Sequence, residues 1–369
     1  MITVLTASFN GGKYIRQQLD SILAQSRVKI GILVSDDCSS DGSYELLEEY
    51  QKEHKGQVLA LRRSYGSGGA AAHFLKLLKL VADHRPGREG ELEKDLWEYG
   101  ELKEEERSFL KELAGAEYFM LSDQDDVWLP YKGERLLKKM RAAEQGNHGP
   151  VLIHSDLRVV DENLQVIAPS FFTYQKISPE RNRLSQLLVQ NNVTGGAVMI
   201  NRRMLPFLER MPDTCLMHDS WLSLIAAAFG TTDYVREPLY CYRQHSGNTL
   251  GAEKGDNLES VEARIMDGSA ARENYRKMFA QAECFLKLYG DNLGEGHRQT
   301  LEKFIEIPGR CRLEKMYLMV RYGFTKNSFL RTLADAFYLR LEDGLPAGRL
   351  LQKERRGGIW KRNRRHLRL

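Results

Sequence analysis

Tyr118-Phe119-Met120-Leu121-Ser122-Asp123-Gln124-Asp125-Asp126-Val127-Trp128 decides how the chain is read. A short apolar strand runs into three carboxylates within four residues. Like charges this close repel, and a fold tolerates them best with a divalent cation among them. Mg²⁺ or Mn²⁺ keeps open coordination positions and can bridge such carboxylates to a diphosphate. The plainer alternative is a turn whose acids cap a helix near Pro130.

Upstream, the same alternation of strand, polar turn and helix repeats. Ile2 to Ala7 reads as a β run, and Asn10-Gly11-Gly12 gives the turn before a helical face of Ile15, Leu19, Ile22 and Leu23. Val28 to Val34 is the second strand, ending in Asp36-Asp37, with a helix through Leu46, Leu47 and Tyr50 after it. Val58 to Leu61 and Ala70 to Val81 form a third unit, which makes Tyr118 to Leu121 the fourth strand. Alternating strands and helices imply a parallel sheet covered on both faces, because parallel neighbours need crossovers. Ligands of such sheets bind at the carboxyl ends of the strands, where Ser8, Asn10, Asp36, Asp37 and Asp123 to Asp126 all fall.

The 369 residues exceed one typical domain, and the net charge of +4 leaves no footprint for nucleic acid. From Arg349 onward, nine Lys or Arg face one acid, Glu354, a net +8 that leaves the preceding residues at −4. Five widely spaced cysteines without a CxxC pair argue for a reducing compartment rather than disulfides or a zinc site. Met1 opens directly on the apolar run without signal-peptide character, and no stretch is long enough to span a membrane. The expectation is a cytoplasmic chain, placed peripherally at the inner face of the plasma membrane if the basic tail docks there. Residues 83–117 are dense in Glu and Lys and read as a solvated surface insertion, helical around Leu102 to Leu113. Shorter β runs return at Val151 to Ile153, Ala197 to Ile200 and Leu239 to Tyr242; after Gly255 the pattern is mainly helical.

Three further constellations carry chemistry. A carboxylate at the Asp36-Asp37 strand end can accept the ring N–H of a pyrimidine, whereas Asp41 reads as a helix cap. In Met217-His218-Asp219-Ser220-Trp221, Asp219 is either a general base at a helix start or a plain N-cap. In Tyr242-Arg243-Gln244-His245, Arg243 suits a phosphate and His245 a metal or diphosphate, while a lone His is more often structural. Gly66-Ser67-Gly68-Gly69-Ala70-Ala71 has the outline of a dinucleotide fingerprint but follows the third strand, so it reads as a close-approach turn beside a nucleotide.

With these residues the chain resembles family 2 glycosyltransferases of the GT-A fold, and among them bacterial rhamnosyltransferase-like enzymes of cell-wall and O-antigen polysaccharide synthesis. The resemblance runs from Met1 to about Gly251. It rests on Thr6-Ala7-Ser8-Phe9-Asn10-Gly11, Ser35 to Gly42, Ser122 to Trp128, His154-Ser155-Asp156, Asn192 to Gly196, His218-Asp219 and Tyr242 to His245. It implies an α/β fold, with a Rossmann-like nucleotide-binding mixed sheet flanked by helices and a mainly helical C-terminal extension. Residues 1–250 would be the catalytic domain, 251–348 the helical region and 349–369 a basic tail.

The implied reaction is inverting transfer of a sugar, L-rhamnose from dTDP-rhamnose first among the donors, to a hydroxyl of a polysaccharide or lipid-linked glycan. Thr6, Ser8, Asn10, Asp36 and Asp37 would hold the nucleotide, Asp123 and Asp125 with His245 the Mg²⁺ or Mn²⁺, and Asp126 the donor sugar. Thr194, Gly195 and Gly196 would line the sugar pocket, Arg243 would meet the diphosphate, and Asp219 would be the catalytic base. Where the family often has Glu before that base, this chain has His218. The rivals are a UDP-hexose-dependent transferase of the same fold, a sugar-nucleotide pyrophosphorylase, and a non-catalytic membrane-associated scaffold. The pyrophosphorylase needs a basic Gly-rich loop after the first strand, and Ser8 to Lys13 is a poor one. The tail, with Leu350, Leu351, Ile359, Trp360 and Leu367 among its cations, reads either as a lipid-docking segment or as a soluble basic terminus.

Overall fold

The computed structural model describes residues 1–88, 96–245 and 268–327. Its first half is three strand–helix units: β1 (Ile2–Ser8), α1 (Ile15–Leu23), β2 (Ile30–Asp36), α2 (Ser43–Glu53), β3 (Val58–Arg62) and α3 (Ala70–Asp83). β2 begins at Ile30 rather than Val28, because Arg27 turns the chain with a φ of +60°. Consecutive residues of these strands are buried on opposite faces, as continuous apolar runs require of a sheet covered twice. Val4, Ile32 and Met120 point into a core closed by α1, α2 and α5 (Lys132–Glu144). Leu5, Leu33 and Phe119 point the other way, against α3, α4 (Glu104–Ala114) and α8 (His218–Phe229), the last preceded by the one-turn helices α6 (Phe171–Tyr174) and α7 (Leu184–Leu187).

β1 lies between β2 and β4 (Tyr118–Ser122), parallel to both, with Ser8 level with Asp36 and Thr6 level with Ser122. That register sets the ends of three strands on one edge. Beyond β4 the sheet turns mixed. β8 (Met199–Asn201) runs antiparallel to β4 and to β6 (Val151–Val160), and β9 (Thr231–Arg243) runs parallel to β6. The order is β3-β2-β1-β4-β8-β6-β9-β5, with β7 (Val166–Ala168) on the side of β6. β5 is only Val127–Trp128, antiparallel to β9, with Val127 opposite Cys241. This short pairing folds the carboxylate loop back onto the end of β9 and so delivers Arg243 and His245 to it.

The charge-dense insertion is not a solvated excursion where it is described. Leu96, Tyr99, Leu110, Leu113 and Ala114 are buried, and Thr3 Oγ1 donates to Leu113 O at 2.7 Å. Glu98 forms an ion pair with the fully buried Arg63 at 2.7 Å, and its carbonyl accepts from Ser64 N at 2.6 Å. The apolar residues spaced among the Glu and Lys face inward; the charges cover the outside. Residues 89–95 lie outside the description.

The helical part enters the description at α9 (Gly268–Tyr289) and continues through α10 (Glu295–Glu306) and α11 (Arg312–Tyr322). Phe279, Phe285, Phe304 and Phe324 join Trp221 of α8 in one core, so these helices extend the sheet's outer layer. No described helix is long and apolar enough to cross a membrane. All five cysteines are free thiols. The basic tail from Arg349 lies outside the described residues.

The corner between α8 and β9 is tight at Gly230, where a Cβ would overlap the carbonyl of Pro150. Gly230→Ala should lower stability by about 1–3 kcal/mol, because neither backbone can yield. Gly296→Ala, on the open side of α10 with no atom within 4 Å, should be neutral or mildly stabilising. Urea titration followed by circular dichroism separates the two.

Candidate active site

The loops at the carboxyl edge are tied together by side chains. Gln124, between the acids, brackets Phe9: Phe9 N donates to Gln124 Oε1 at 2.7 Å, and Gln124 Nε2 donates to Phe9 O at 2.9 Å. Asn10, in the left-handed region at φ +49°, donates its N–H to Ser39 Oγ (2.8 Å) and accepts from Ser40 N (2.9 Å). Asp36 is fully buried and spent on Ser39, accepting from its backbone N at 3.0 Å and from its hydroxyl; burial pushes its pKa up. Asp37 accepts from Ser67 N (2.7 Å) and Ser67 Oγ (2.6 Å), with Arg63 at 3.3 Å. The Gly66 to Gly69 turn therefore serves Asp37, and its glycines 68 and 69 adopt φ of +97° and +118° before α3. Asp41 accepts from Gly12 N (3.0 Å) and from Ser43 N (3.1 Å), the first residue of α2, as a cap-like anchor. Thr6 and Ser8 lie inside the edge, fully buried, with hydroxyls that meet no hydrogen-bond partner among the described residues.

Asp123 and Asp126 converge on the turn Thr194-Gly195-Gly196. A Cβ on Gly196 would sit 3.2 Å from Asp123 Oδ2 and from Tyr240 Oη, and 3.3 Å from Asp126 Oδ2. A methyl there would press these side chains back by a few tenths of an ångström. Burial, then Asp125 and Asp219, push Asp123 up to about 7; burial, then Asp125 and Asp123, hold Asp126 well above the usual range. Asp126 Oδ1 accepts from Arg243 N at 3.1 Å, while Oδ2 has no hydrogen-bond partner among the described residues. Beneath them lies a residue that the sequence did not single out. Lys132, fully buried, donates to Gly196 O and sits 3.5 Å from the Trp128 ring centroid and 4.4 Å from that of Tyr240. Desolvation drives its pKa down, against the pull of Asp126 and Asp123.

Asp125 Oδ2 meets His245 Nε2 at 2.8 Å. Arg243, read from sequence as a phosphate partner, is buried. Its guanidinium donates to Asp125 O (2.8 Å), Glu162 O (2.7 Å) and Gln17 Oε1 (2.6 Å). In this arrangement it braces the carboxylate loop.

Asp219 is the second residue of α8, and Met217 occupies the cap position. Its carboxylate accepts from Ser220 N (2.6 Å) and Asn191 Nδ2 (3.0 Å), and from the Gly195 backbone. Those donors and the helix N-terminus favour the anion, yet burial outweighs them and pushes Asp219 up to about 7. Asp219 thus reaches the same turn that Asp123 and Asp126 touch. His218 adds no charge beside it: the ring is buried, stacks on Phe74 at 4.1 Å, and is driven down to about 3 by desolvation. Asn191 too was not foreseen; nothing in its local sequence separates it from a turn residue. His154-Ser155-Asp156 is structural, since Asp156 anchors the backbone N–H groups of Phe171 (2.9 Å) and Phe172 (3.0 Å).

Among the described residues no three His, Cys, Asp or Glu close into a metal cage. What the edge supplies is an oxygen and nitrogen donor pair, Asp125 and His245, beside the crowded carboxyl of Asp123. That set fits a hard divalent ion which takes one or two protein carboxylates and fills its other positions with phosphate and water.

Residues 3–79, from β1 through most of α3, match the family described as glycosyl transferase family 2. Two curated relatives extend the likeness. The dTDP-rhamnosyl transferase RfbG of Shigella flexneri is 25% identical over 325 residues, covering 85% of this chain and 97% of its own. The putative teichuronic acid biosynthesis glycosyltransferase TuaG of Bacillus subtilis is 26% identical over 235 residues, covering 62% and 73%. Among solved structures, S. aureus TarS 1-349 in complex with UDP aligns at 14% identity over 87% of this chain and 78% of that one, with a TM-score of 0.47.

Gly196→Ala tests the shared turn. The added methyl displaces Asp123 or Asp126, so nucleotide release should fall at least about tenfold, a loss of roughly 1.4 kcal/mol in barrier terms. The melting temperature should move little.

Proposed function

We propose that the chain moves a sugar from a nucleoside diphosphate onto a hydroxyl of a cell-surface polysaccharide or lipid-linked glycan in one inverting displacement, with dTDP-L-rhamnose as donor. One observation carries this reading: Asp219 and the Asp123/Asp126 pair meet at the same Thr194 to Gly196 turn, on the edge where the nucleotide-facing loops end. A sugar seated against that turn has a base on one side and an anion-bearing leaving group on the other, the layout inversion requires. The rhamnose preference rests on the likeness to RfbG.

Asp219 takes the proton of the acceptor hydroxyl as the new glycosidic bond forms, and the sugar–phosphate bond breaks with its electron pair leaving on the diphosphate. Asn191 and the Gly195 backbone aim the carboxylate. A carboxyl lifted to about 7 is a stronger base than an ordinary aspartate and is still about half ionised at neutral pH. Asp125, Asp123 and His245 would hold Mg²⁺ or Mn²⁺, which supplies charge neutralisation for the departing diphosphate. Arg243 keeps Asp125 and Asp126 in place. Asp37 and Asn10 border the nucleoside end, fixed by Ser67 and Ser40.

Asp219→Asn should lower kcat by about 10²–10⁴ with an unchanged circular dichroism spectrum, the usual worth of a general base. Asp125→Ala should abolish metal-stimulated turnover. A donor panel scored by nucleotide release decides the sugar: turnover confined to UDP-hexoses removes the rhamnose assignment. Calorimetry with dTDP, UDP and Mn²⁺ tests the non-catalytic scaffold, which binds none of them well.

The pH dependence has a definite sign. The base works ionised, so kcat/KM should fall about tenfold per unit as pH drops below about 7, and Asp219→Asn should lose that slope. Acid unfolding is not the cause expected from this group. A carboxyl raised in the folded state adds stability below its unfolded value, and that gain is lost as pH rises towards 7.

A further inference from the structure

The helix α11 presents an apolar stripe to solvent. Leu313 (79% exposed), Met316 (43%), Tyr317 (65%) and Val320 (81%) fall at positions i, i+3, i+4 and i+7, so they share one face. Scattered exposed leucines mean nothing, but a continuous stripe on a fixed helix is a surface awaiting a partner. The helix is fixed: Leu318 and Met319 are buried on its other side, and Gly323 closes it in the left-handed conformation.

Charge identifies the partner. Arg312 and Arg321 stand at the two ends of the stripe on the exposed side, with Arg310 one turn before. Arg310 is already paired with Glu306 at 2.7 Å, and Glu314 caps the helix start through Cys311 N at 3.1 Å, so Arg312 and Arg321 are the cations that flank the stripe. A further 42 residues follow Asn327, and the last 21 of them carry the net +8. A second copy of this chain fits poorly, because a twofold contact sets the same arginines against one another. A single helix stripe also falls short of the roughly 800 Å² per partner of a stable protein interface. An apolar stripe flanked by cations is instead what an interfacial helix needs to lie at an anionic bilayer.

We infer that α11 docks on an anionic lipid surface, with Leu313, Met316, Tyr317 and Val320 entering the headgroup boundary and Arg312 and Arg321 meeting lipid phosphates. This surface does not depend on the transfer reaction, and none of its residues belongs to the carboxylate edge.

Flotation of the full chain with phosphatidylcholine vesicles, with and without 30% phosphatidylglycerol, tests it. The wild type should float only with the anionic vesicles and be released by high salt. The double variant Leu313→Ser/Val320→Ser should bind at least about tenfold more weakly, from the apolar area it no longer buries. Its melting temperature and nucleotide release on a soluble acceptor should match the wild type. Undiminished flotation of the double variant overturns the inference and leaves binding to the tail alone. A fall in melting temperature also overturns it, by showing the stripe covered within the chain, as does a change in sedimentation, by showing a second copy there.

Discussion

The rest of the molecule is arranged around an electrostatic conflict: Asp123, Asp125 and Asp126 crowd one loop, and Asp219 stands across a two-glycine turn from them. Water would dilute such repulsion; burial concentrates it. The fold offsets part of the cost from below with Lys132, whose ammonium is itself stripped of water and held by two aromatic faces and a carbonyl. It offsets another part with backbone and ring N–H groups, Arg243 N on Asp126 and His245 on Asp125. Burial is not fully compensated: it pushes Asp123, Asp126 and Asp219 all upward, and neighbouring carboxylates push Asp123 and Asp126 further. A site left in that state favours whatever cation arrives, and this is the physical content of the metal assignment.

The sheet makes the conflict geometrically possible. Because β1 is central and in register with β2 and β4, the loops that leave them start level. Gln124 then locks the acid loop to Phe9, so the loop after β1 and the carboxylate-bearing loop cannot drift apart. The two-residue β5 does the same from the far side by pairing with β9. Neither contact lies in a long apolar element, yet both set the distances on which the chemistry depends.

Much of this was legible in the sequence, for reasons that can be named. β1 to β4 are continuous apolar runs ended by polar clusters, a pattern that fixes both strand and edge, and the carboxylate loop announces itself by its charge density. The carboxyl of Asp219 could not be told from a cap by local sequence; only the packing of the helix start against Gly195 does so. Lys132, Asn191 and Gln124 were invisible for a related reason. A Lys at a helix start and amides in loops are ordinary surface residues, and their role comes from contacts across 64, 28 and 115 positions. Residues 96–114 misled because charge was averaged over the segment, whereas burial is decided residue by residue, at Leu96, Tyr99, Leu110 and Leu113. Arg243 suited a phosphate by its charge; its guanidinium is buried against oxygens from three separate segments, Asp125 O, Glu162 O and Gln17 Oε1.

His218 shows why the site tolerates a change that looks severe on paper. A Glu beside Asp219, frequent in the family that this sequence resembles, would add a fourth negative charge within reach of Asp123. Here the position carries an imidazole buried against Phe74 under Gly195 and driven to its neutral form. Asp219 is then lifted mainly by desolvation, and its ionisation does not depend on a charged chain neighbour. Desolvation is a property of packing, and packing at Gly195 is closed by the His218 ring. The side chain that departs from the family pattern is therefore part of what gives the neighbouring carboxyl its basicity.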